Sequence, residues 1–495
     1  MPSTAILYPV PIDSLKSQLG PLGRRAKIVC TLGPATDSPP TLVGLLDAGM
    51  EVARLNFSHG TLADHVRRLH WVRRLARERG RPIAILQDLQ GPKIRTGALQ
   101  GGKRVMLRAN AQVTLTTRPV AGTSQVIATN FQALPREVKP GNRILLSDGL
   151  IELRVERIRG RDILCRVLSG GELGERQGIN LPGLPLHVSA LTEKDLADLE
   201  FAFHYHVDYI ALSFVRSPQD ILRLRRVLAR AGRAIPIIAK LEKPQAIDRL
   251  EEILGVADAV MVARGDLGVE LPPEQVPIIQ KRIIDHANSL KVPVITATQM
   301  LDSMTSHPRP TRAETSDVAN AVFDGTDALM LSSETATGRY PREAVRMMAR
   351  IISAAESSSR YSWFARHRRA DTALTPAEAV CESVAHLTEG LKLKAIAVFT
   401  QSGSSARLVS KYRPRAPVFA FSPVRDILRR VALYWGVCPV YMPHVESTDR
   451  MGEGAANRLR EWGVVRPGDL IAVVAGTPIA RRGTTNLLKI HRIEK

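Results

Sequence analysis

The chain has 495 residues, of which 44% are hydrophobic and 24% are charged, and it carries 69 Lys and Arg against 48 Asp and Glu. This length favours about three domains, and this composition is typical of a globular protein, which excludes the disordered and collagen-like classes. No stretch approaches the roughly 18 apolar residues of a membrane span, and the N-terminus lacks a basic region followed by an apolar block, so we expect a cytoplasmic chain with no membrane partner.

The cysteines and the surplus of basic residues indicate whether the chain is a disulfide-rich, zinc-binding or nucleic-acid-binding protein. The four cysteines lie 135, 216 and 57 residues apart, which indicates neither a disulfide framework nor a zinc site. A net charge of +21 could serve a nucleic acid or another anionic surface. However, the arginines within 67–81 and 223–233 recur at helical spacing between apolar residues. We interpret them as solvated faces of amphipathic helices and expect no nucleic-acid partner.

The part of the chain before residue 356 contains a repeating unit. After residues 1–22, predicted to be an irregular N-terminal arm, short β-branched apolar runs alternate with helix-period stretches. The eight runs end near Cys30, Arg54, Asp88, Ser213, Lys240, Arg264, Thr298 and Ser332. Successive spacings are 24 to 34 residues except for one of 125. Strands joined by helices are parallel, and eight such units close a (β/α)8 barrel, so we predict a TIM barrel over 23–91 and 187–355.

The long interval predicts a second domain inserted in the barrel. Residues 92–186 alternate apolar and polar side chains with period two between Gly-rich turns, which indicates a small β-barrel lid domain. Pro and Gly cluster at both of its junctions and favour a hinge there. After the barrel, 356–375 is predicted to be a linker. Strand and helix patterns alternate again over 376–495, which predicts a C-terminal α/β domain with a largely parallel sheet.

Polar side chains follow several of the predicted barrel strands, where the reacting groups of such barrels lie. Lys240 and Glu242 share one face of the fifth strand, and Asp266 follows the sixth. Two carboxylates without a nearby His or Cys suit Mg²⁺ or Mn²⁺. A neighbouring ammonium suits charge that develops on a phosphoryl group or an enolate. The alternative is that the two carboxylates only form salt bridges with Arg or Lys.

Other residues at the same strand ends could bind anions. The planar guanidinium groups of Arg54 and Arg95 match phosphate oxygens, although either one alone would be weak evidence. Gly265 lets a ligand approach the backbone N–H groups closely beside a predicted helix start, which could hold a substrate carboxylate. The predicted barrel mouth therefore favours a phosphorylated, anionic substrate.

Several longer motifs occur in a fixed order along the chain. They include KIVCTLGPA, VARLNFSHG, LQDLQGPKIRTG, MVARGDLGVELP, LMLSSETATGRYP and TQSGSSARLVSKYRPRAP. Through them the chain resembles the pyruvate kinase family over nearly its whole length. The resemblance implies a barrel with a β lid and a C-terminal regulatory domain, a homotetramer, and Mg²⁺-dependent phosphoryl transfer from phosphoenolpyruvate to ADP. The products would be pyruvate and ATP, in the last step of glycolysis.

The resemblance also implies catalytic roles for single residues. Glu242 and Asp266 would hold the Mg²⁺, and Lys240 would stabilise the transferring phosphoryl group and the enolate. Arg54 would bind the phosphoryl group. Ser332 would lie on a proton relay toward the enolate methylene carbon.

Further residues complete the substrate sites that the resemblance implies. Thr298 would share that proton relay, and together with the backbone of Gly265 and Asp266 it would bind the substrate carboxylate. Asn56 and Arg95 would lie on the nucleotide side.

One departure from the family pattern concerns K⁺. Many members need K⁺, which is held by Asn, Ser and Asp side chains and a Thr backbone, and they carry a Glu in the loop that here reads GPKIR. Lys93 occupies that acidic position. A fixed ammonium can supply the positive charge of a monovalent ion, so we predict an enzyme that does not require K⁺.

A hydroxyl-rich turn in the C-terminal domain predicts regulation. It contains Thr400, Ser402, Gly403, Ser404 and Ser405 between a strand and a helix, which suits either a phosphate cradle or an ordinary helix cap. The resemblance favours an allosteric site for a phosphorylated activator. The later loop residues Arg481, Arg482 and Gly483 would complete this site. As a hypothesis, a sugar monophosphate or AMP fits a K⁺-independent bacterial type better than fructose bisphosphate.

Two other functions are weighed against this interpretation. A barrel lyase or aldolase that acts through a Mg²⁺-bound pyruvate enolate would use the same Lys, Glu and Asp, but it gives the inserted domain no role. A nucleic-acid-binding protein would present aromatic stacking platforms on one positive face. Aromatic residues here are only 4% of the chain and are scattered, which argues against that class.

Overall fold

The structure is a computed structural model that describes residues 24–184, 188–359, 361, 373–445, 447–478 and 484–494. The predicted arm at 1–22 and most of the predicted linker at 356–375 lie outside these ranges. Among the described residues, no helix combines the length and the apolar character that a membrane crossing requires.

Three parallel strands and two helices form the first part of the barrel. The strands are β1 Lys27–Leu32, β2 Val52–Asn56 and β3 Ala84–Asp88, and the helices are Pro39–Ala48 and Leu62–Glu78. The second helix begins at a capping box in which Thr61 and Asp64 satisfy each other's backbone N–H groups. Its apolar side, which includes Leu69 and Val72, packs in the main core. Burial of this side sets the helix against the outside of the strands.

The inserted domain follows β3 and contains eight strands. They are β4 Val105–Leu107, β5 Gln112–Thr116, β6 Val126–Ala128, β7 Arg143–Leu146, β8 Ile151–Arg159, β9 Asp162–Ser169, β10 Gly171–Leu173 and β11 Ile179–Asn180, with one short helix at Leu134–Glu137. Six of them form a sheet in the order β11-β7-β8-β9-β5-β6, and β10 pairs with β4. Alternate residues of β8, such as Leu153 and Val155, are buried in a separate core. The prediction of an inserted β domain from period two is confirmed.

Five further strands close the barrel. They are β12 Tyr209–Leu212, β13 Ile237–Leu241, β14 Ala259–Ala263, β15 Val294–Ala297 and β16 Ala328–Leu331. The helices of this part are Glu193–Tyr205, Pro218–Arg230, Pro244–Asp248, Leu250–Leu254, Arg264–Glu270, Val276–Ser289, Arg312–Asp324, Ser333–Ala336 and Pro341–Glu356. The closed order is β1-β16-β15-β14-β13-β12-β3-β2, with Lys27 opposite Ala328 at the seam. The predicted (β/α)8 barrel is confirmed, and its interior is a packed core of side chains such as Leu86 and Met261.

The arginines of the helix Leu62–Glu78 and the turn after it do not all face solvent. Arg68 and Arg81 are buried. Arg68 Nη2 lies 3.1 Å from Asp37 Oδ2, and Arg81 Nη1 donates to Leu46 O at 2.6 Å. The interpretation of these arginines as solvated is therefore wrong for both, because acceptors from other segments satisfy the charged end of each long side chain.

The C-terminal domain is a five-stranded sheet with helices. Its strands are β17 Ala395–Phe399, β18 Val418–Ser422, β19 Val437–Tyr441, β20 Leu470–Ala475 and β21 Leu487–Arg492, and its helices are Pro376–Gly390, Ser404–Lys411, Arg425–Val431 and Thr448–Glu461. The order is β19-β18-β17-β20-β21. The first four strands are parallel as predicted, and β21 pairs antiparallel with β20. The strand β21 was not predicted, because this edge strand is half-exposed and lacks a buried apolar run.

A buried ion cluster joins the C-terminal domain to the barrel. Asp327, directly before β16, lies 2.7 Å from Lys411 Nζ and 2.9 Å from Arg413 Nη2. Burial opposes ionisation of this carboxyl, but Arg413 and Lys411 overcome it and lower the pKa of Asp327. The charged form therefore stabilises the fold above the unfolded pKa of about 3.9, and this stabilisation is lost as the pH falls toward the lower folded value.

Replacement of Asp327 by Ala is expected to lower the free energy of unfolding by about 3–5 kcal/mol, because it leaves two buried cations without their carboxylate. Urea unfolding at pH 7 measures the change. The matched control is Asp449→Ala, which removes an exposed carboxylate 2.6 Å from Lys489 Nζ and should cost less than about 1 kcal/mol. Equal and small effects of the two variants would show that the buried cluster does not stabilise the junction.

Candidate active site

Lys240 lies at the end of β13 and contacts three oxygen-bearing side chains. Its Nζ donates to Ser213 Oγ at 2.8 Å and lies 2.8 Å from Glu242 Oε1 and 3.3 Å from Asp88 Oδ1. Burial disfavours the charged form, but the carboxylates of Asp88 and Glu242 outweigh it and raise the pKa of Lys240 above its ordinary value. This position therefore holds a permanent ammonium group inside the barrel mouth.

Arg54 is bound to the same acid as Lys240. The Arg54 Nε and Nη2 atoms lie 2.7 and 2.6 Å from Asp88 Oδ2, and Nη1 donates to Thr31 Oγ1 at 2.9 Å. Burial would raise the pKa of Asp88, but Lys240 and Arg54 together lower it. The ionised Asp88 carboxylate therefore holds the side chains of Arg54 and Lys240, from β2 and β13, in place. Their two positive charges form a binding site for an anion.

Glu242 follows β13, and Asp266 lies in the helix Arg264–Glu270 after the neighbouring strand β14. Glu242 is 1% exposed and accepts a hydrogen bond from Phe214 N at 2.9 Å through Oε2. Burial raises the pKa of Glu242, and the negative charge of Asp266 adds to that rise. The charge of Asp266 also helps to raise the pKa of Lys240. Lys240, Glu242 and Asp266, which the sequence analysis placed together, therefore belong to one electrostatic cluster.

The donor set of this cluster fits a hard divalent cation. Glu242 and Asp266 present carboxylate oxygens, the ligands that Mg²⁺ and Mn²⁺ prefer, and a cation between them would relieve the repulsion that raises the pKa of Glu242. Within the described ranges, no group of three or more His, Cys, Asp or Glu side chains could hold a metal ion. A divalent cation would therefore take its remaining ligands from substrate and water.

Lys93 lies where the chain leaves the barrel for the inserted domain. It lines a cavity between the two, together with Asp266, Asp148 and Asn180. Burial lowers the pKa of Lys93, and Lys240 adds to this effect, whereas Asp266 opposes it. Lys93 thus acts electrostatically on the same groups as Lys240.

Two residues were predicted for the nucleotide side. Asn56 is the last residue of β2, and Arg95 lies near the junction with the inserted domain. Asn56 Oδ1 accepts a hydrogen bond from Ser58 N at 3.1 Å, which fixes a turn after β2. The backbone N of Arg95 donates to Asn130 Oδ1 at 2.8 Å, and Arg95 pairs with Gly178. The backbone of Arg95 is therefore anchored to the inserted domain.

The loop after β15 adopts an uncommon backbone conformation. Thr298 and Gln299 have φ values of 70° and 55°, in the left-handed region that β-branched residues avoid. Thr298 Oγ1 accepts from Gly265 N at 2.7 Å, and Arg264 Nη2 donates to Thr298 O at 2.7 Å. Such strain persists where surrounding contacts enforce it, often at functional sites. Thr298 and Gly265, predicted to share the substrate carboxylate, are in direct contact.

Ser332 follows β16 and has a buried hydroxyl. Its backbone N donates to Glu334 Oε2 at 2.7 Å, and Glu334 Oε1 accepts from Leu301 N at 3.1 Å. Glu334 therefore ties the loops after β15 and β16 together, and burial raises its pKa. Ser332 Oγ has no hydrogen-bond partner among the residues described. A buried orphan hydroxyl is a place for an ordered water.

Two contacts of the site were not predicted. Ser213 entered the sequence analysis only as a strand marker, yet its hydroxyl orients Lys240, and its position directly after β12 was the available signal. Thr31 lies within β1 and gives Arg54 an acceptor, and no feature of the sequence singles it out.

Two models of known protein families match this chain and show the family to which it belongs. The description "Pyruvate kinase, barrel domain" matches residues 23–345, and "Pyruvate kinase, alpha/beta domain" matches residues 378–491. The chain belongs to the pyruvate kinase family. It is therefore a phosphotransferase, as predicted, and pyruvate kinases act on phosphoenolpyruvate and ADP with a divalent metal ion.

Individual pyruvate kinases support the assignment over nearly the whole chain. The chain is 46% identical over 473 residues to pyruvate kinase of Staphylococcus saprophyticus, covering 95% of this chain and 80% of that protein. It is 47% identical over 480 residues to pyruvate kinase 2 of Synechocystis sp., covering 96% and 80%. The crystal structure of a pyruvate kinase from Cryptosporidium parvum matches with a TM-score of 0.90 at 35% identity and covers both chains fully.

The predicted effector turn of this pyruvate kinase family member lies between β17 and the helix Ser404–Lys411. Gly403 has φ of 87° and its N donates to Thr400 Oγ1 at 2.9 Å. Ser402 Oγ lies 3.0 Å from Ser404 Oγ, and Ser405 Oγ lies 2.6 Å from the hydroxyl of Thr485. These contacts order the turn, but no side chain caps the helix Ser404–Lys411 at its N-cap residue Gly403.

The same turn lines a cavity in the C-terminal domain of this pyruvate kinase family member. Thr400, Ser402, Ser404 and Ser405 contribute hydroxyl groups, and His444 and Thr484 line it from other segments. The predicted partners Arg481, Arg482 and Gly483 lie outside the described residues.

Proposed function

We propose that this chain transfers the phosphoryl group of phosphoenolpyruvate to ADP in the cytoplasm, as the last step of glycolysis, and that Lys240 is its central catalytic cation. The observation that carries the proposal is the Lys240 ammonium, held within 2.8 Å of both Ser213 and Glu242 and close to Asp88. A fixed positive charge at this point stabilises negative charge that develops during transfer.

In the proposed transfer, the bond between phosphorus and the enol oxygen breaks and its electron pair stays on the oxygen as an enolate, while an ADP oxygen bonds to phosphorus. Arg54 binds the phosphoryl oxygens, and Lys240 neutralises both the phosphoryl group and the enolate. Glu242 and Asp266 would hold Mg²⁺ or Mn²⁺, and the metal ion would supply further positive charge for the transfer.

The remaining roles concern binding and the final proton. Thr298 and the backbone of Gly265 and Asp266 bind the substrate carboxylate, and Asn56 and Arg95 lie on the nucleotide side. The enolate then takes a proton at its methylene carbon to give pyruvate. The orphan hydroxyl of Ser332 supports a water-borne relay that Thr298 shares.

A coupled assay for pyruvate tests this function against the lyase alternative. We expect pyruvate from phosphoenolpyruvate only when ADP and Mg²⁺ are both present, with one ATP formed per pyruvate. Pyruvate formed without ADP would favour a lyase or hydrolase that uses the same cluster. The cavity between barrel and inserted domain supports transfer to a second substrate, because it borders Asp266.

The enzyme is further proposed to need no K⁺, because the Lys93 ammonium borders the same cavity as Asp266 and can take the place of a monovalent cation there. It is also proposed to be a homotetramer, as the resemblance implies. Sedimentation of the purified chain tests the latter, and a monomer at micromolar concentration would contradict it.

The hydroxyl-rich turn at 400–405 is proposed to bind a phosphorylated activator, completed by the loop at 481–483. We expect Ser402→Ala to weaken activation by glucose 6-phosphate or AMP about tenfold, because it removes one hydroxyl that borders the cavity. Activation curves with each effector measure this. The control is Ser357→Ala, an exposed hydroxyl that bonds only within its own helix. Identical activation of wild type and Ser402→Ala would remove the turn from regulation.

A further inference from the structure

Two buried polar side chains at the start of the helix Leu62–Glu78 contact the loops at the barrel mouth. They are His65 and Arg68. Arg68 Nη2 lies 3.1 Å from Asp37 Oδ2 in the loop after β1, and His65 Nε2 lies 3.0 Å from His59 O in the loop after β2. The proposed transfer gives neither side chain a role. One helix therefore supports two loops beside the active site.

The contact of His65 with the loop after β2 is a directed hydrogen bond. A carbonyl oxygen only accepts, so Nε2 of His65 carries the proton and donates to His59 O. The other ring nitrogen, Nδ1, is buried without a hydrogen-bond partner among the described residues. An apolar ring would pack at this place without leaving a polar atom unpaired. The imidazole therefore contributes through its donor.

The surroundings of His65 keep its ring neutral and fixed. The ring stacks on Phe57 with the centroids 4.3 Å apart and the planes 13° from parallel. Phe201 meets Phe57 edge-on at 5.1 Å. Burial lowers the pKa of His65 to about 4, and the charge of Arg68 adds to this effect. At neutral pH the ring therefore carries one hydrogen, which points at His59 O.

The loop that receives this hydrogen bond is a short turn at the end of β2. Phe57 N donates to Asp88 O at 3.0 Å, which holds the start of the turn against β3. His59 N donates to Asn56 O at 3.2 Å and closes the turn. The hydrogen bond from His65 thus fixes the far end of the turn that also orients Asn56.

This turn faces the cations of the active site. Burial lowers the pKa of His59, and the positive charges of Lys93, Arg95 and Arg54 add to this effect. The His59 ring therefore lies within electrostatic range of groups from the barrel mouth and from the junction with the inserted domain. A shift of the His59 carbonyl would move polar groups on the proposed nucleotide side.

We infer that His65 is a positioning residue for the nucleotide: its Nε2–H holds the carbonyl of His59 and, through this turn, places Asn56 for ADP. The inference rests on the proposed function. The groups proposed to bind phosphoenolpyruvate have other partners, since Arg54 is held by Asp88 and Thr298 by Gly265. The binding of ADP, rather than that of phosphoenolpyruvate, should therefore depend on His65.

Two variants separate the hydrogen bond from the packing of the ring. His65→Phe keeps a flat ring on Phe57 but has no donor, and it should raise KM for ADP about tenfold while KM for phosphoenolpyruvate stays within about twofold. His65→Gln loses the ring, but its amide nitrogen can donate in place of Nε2, so its KM for ADP should stay within about threefold of wild type. A role in packing alone predicts the reverse order. Steady-state rates and thermal melting of the full chain measure both effects.

A matched control and the wild type make the result decisive. His70→Phe makes the same change at an exposed position of the same helix, where the ring keeps its contact with Tyr205, and it should change neither KM. Wild-type KM for ADP in folded His65→Phe would overturn the inference. If that variant does not fold, His65→Gln decides, and a KM for ADP more than about tenfold above wild type would overturn it. Failure of both to fold would show a structural role only. A wild type without ADP-dependent pyruvate formation would instead refute the proposed function.

Discussion

Replacement of Lys240 by Met is expected to lower kcat for pyruvate formation by about a thousandfold, the upper range for removal of one preorganised charge from an active site. The long apolar side chain keeps most of the volume of Lys240 but places no positive charge beside Ser213, Asp88 and Glu242. Negative charge on the phosphoryl group and the enolate then lacks its main partner from the chain. Steady-state rates at saturating substrates and metal measure the loss.

A matched control separates this effect from a general loss of charge or fold. Lys281→Met removes an exposed lysine that pairs with Asp324 on the outside of the barrel, and it should leave kcat within twofold. Both variants should show wild-type circular dichroism. In Lys240→Met, Arg54 still pairs with Asp88, and Glu242 keeps its hydrogen bond from Phe214 N. A folded Lys240→Met enzyme with kcat within tenfold of wild type would refute the central role of this ammonium.

Replacement of Lys93 by Glu is expected to create a K⁺ requirement. The wild-type enzyme should show its full rate in buffer with tetramethylammonium as the only monovalent cation. The variant should lose about a hundredfold in kcat there and regain much of it when KCl is added. The substitution changes the local charge by two units next to Asp266 and Glu242, and a bound K⁺ could replace the missing positive charge.

Two further variants make this result specific. Lys93→Met removes the charge without adding a negative one, so its loss in K⁺-free buffer should be smaller than that of Lys93→Glu. Lys103→Glu makes the same charge change at an exposed position of the inserted domain and should not alter the K⁺ dependence. A wild-type rate that collapses without K⁺ and returns with KCl would contradict the role given to Lys93.

The strands of the barrel and the cluster at its mouth could be predicted because both depend on local patterns. A strand buried on both faces leaves a continuous apolar run, and the next polar residue marks its end, as Lys240 does for β13. The partnership of Lys240 with Ser213 could not be predicted, because it depends on the register by which β12 and β13 pair. The contact of Thr31 with Arg54 could not be predicted for the same reason, because only the pairing of β1 with β2 brings the two residues opposite each other.

Features that depend on distant segments were predicted poorly. Arg68 and Arg81 have the sequence surroundings of surface arginines, and their burial follows from acceptors at Asp37 and Leu46. The strand β21 has too few buried residues to stand out, and it exists because β20 offers it an edge. Such elements take their structure from a partner surface rather than from their own pattern.

The pairing of β3 with β12 has a consequence for how such a protein can change over time. Although 120 residues separate Asp88 from Asp208, Tyr209 lies directly opposite Leu86 in the barrel wall. The inserted domain therefore lies, along the chain, between two strands that are neighbours in the barrel, β3 and β12. Because the inserted domain contributes no strand to the closed barrel, we expect a change in its length to leave the pairing of β3 with β12 in place.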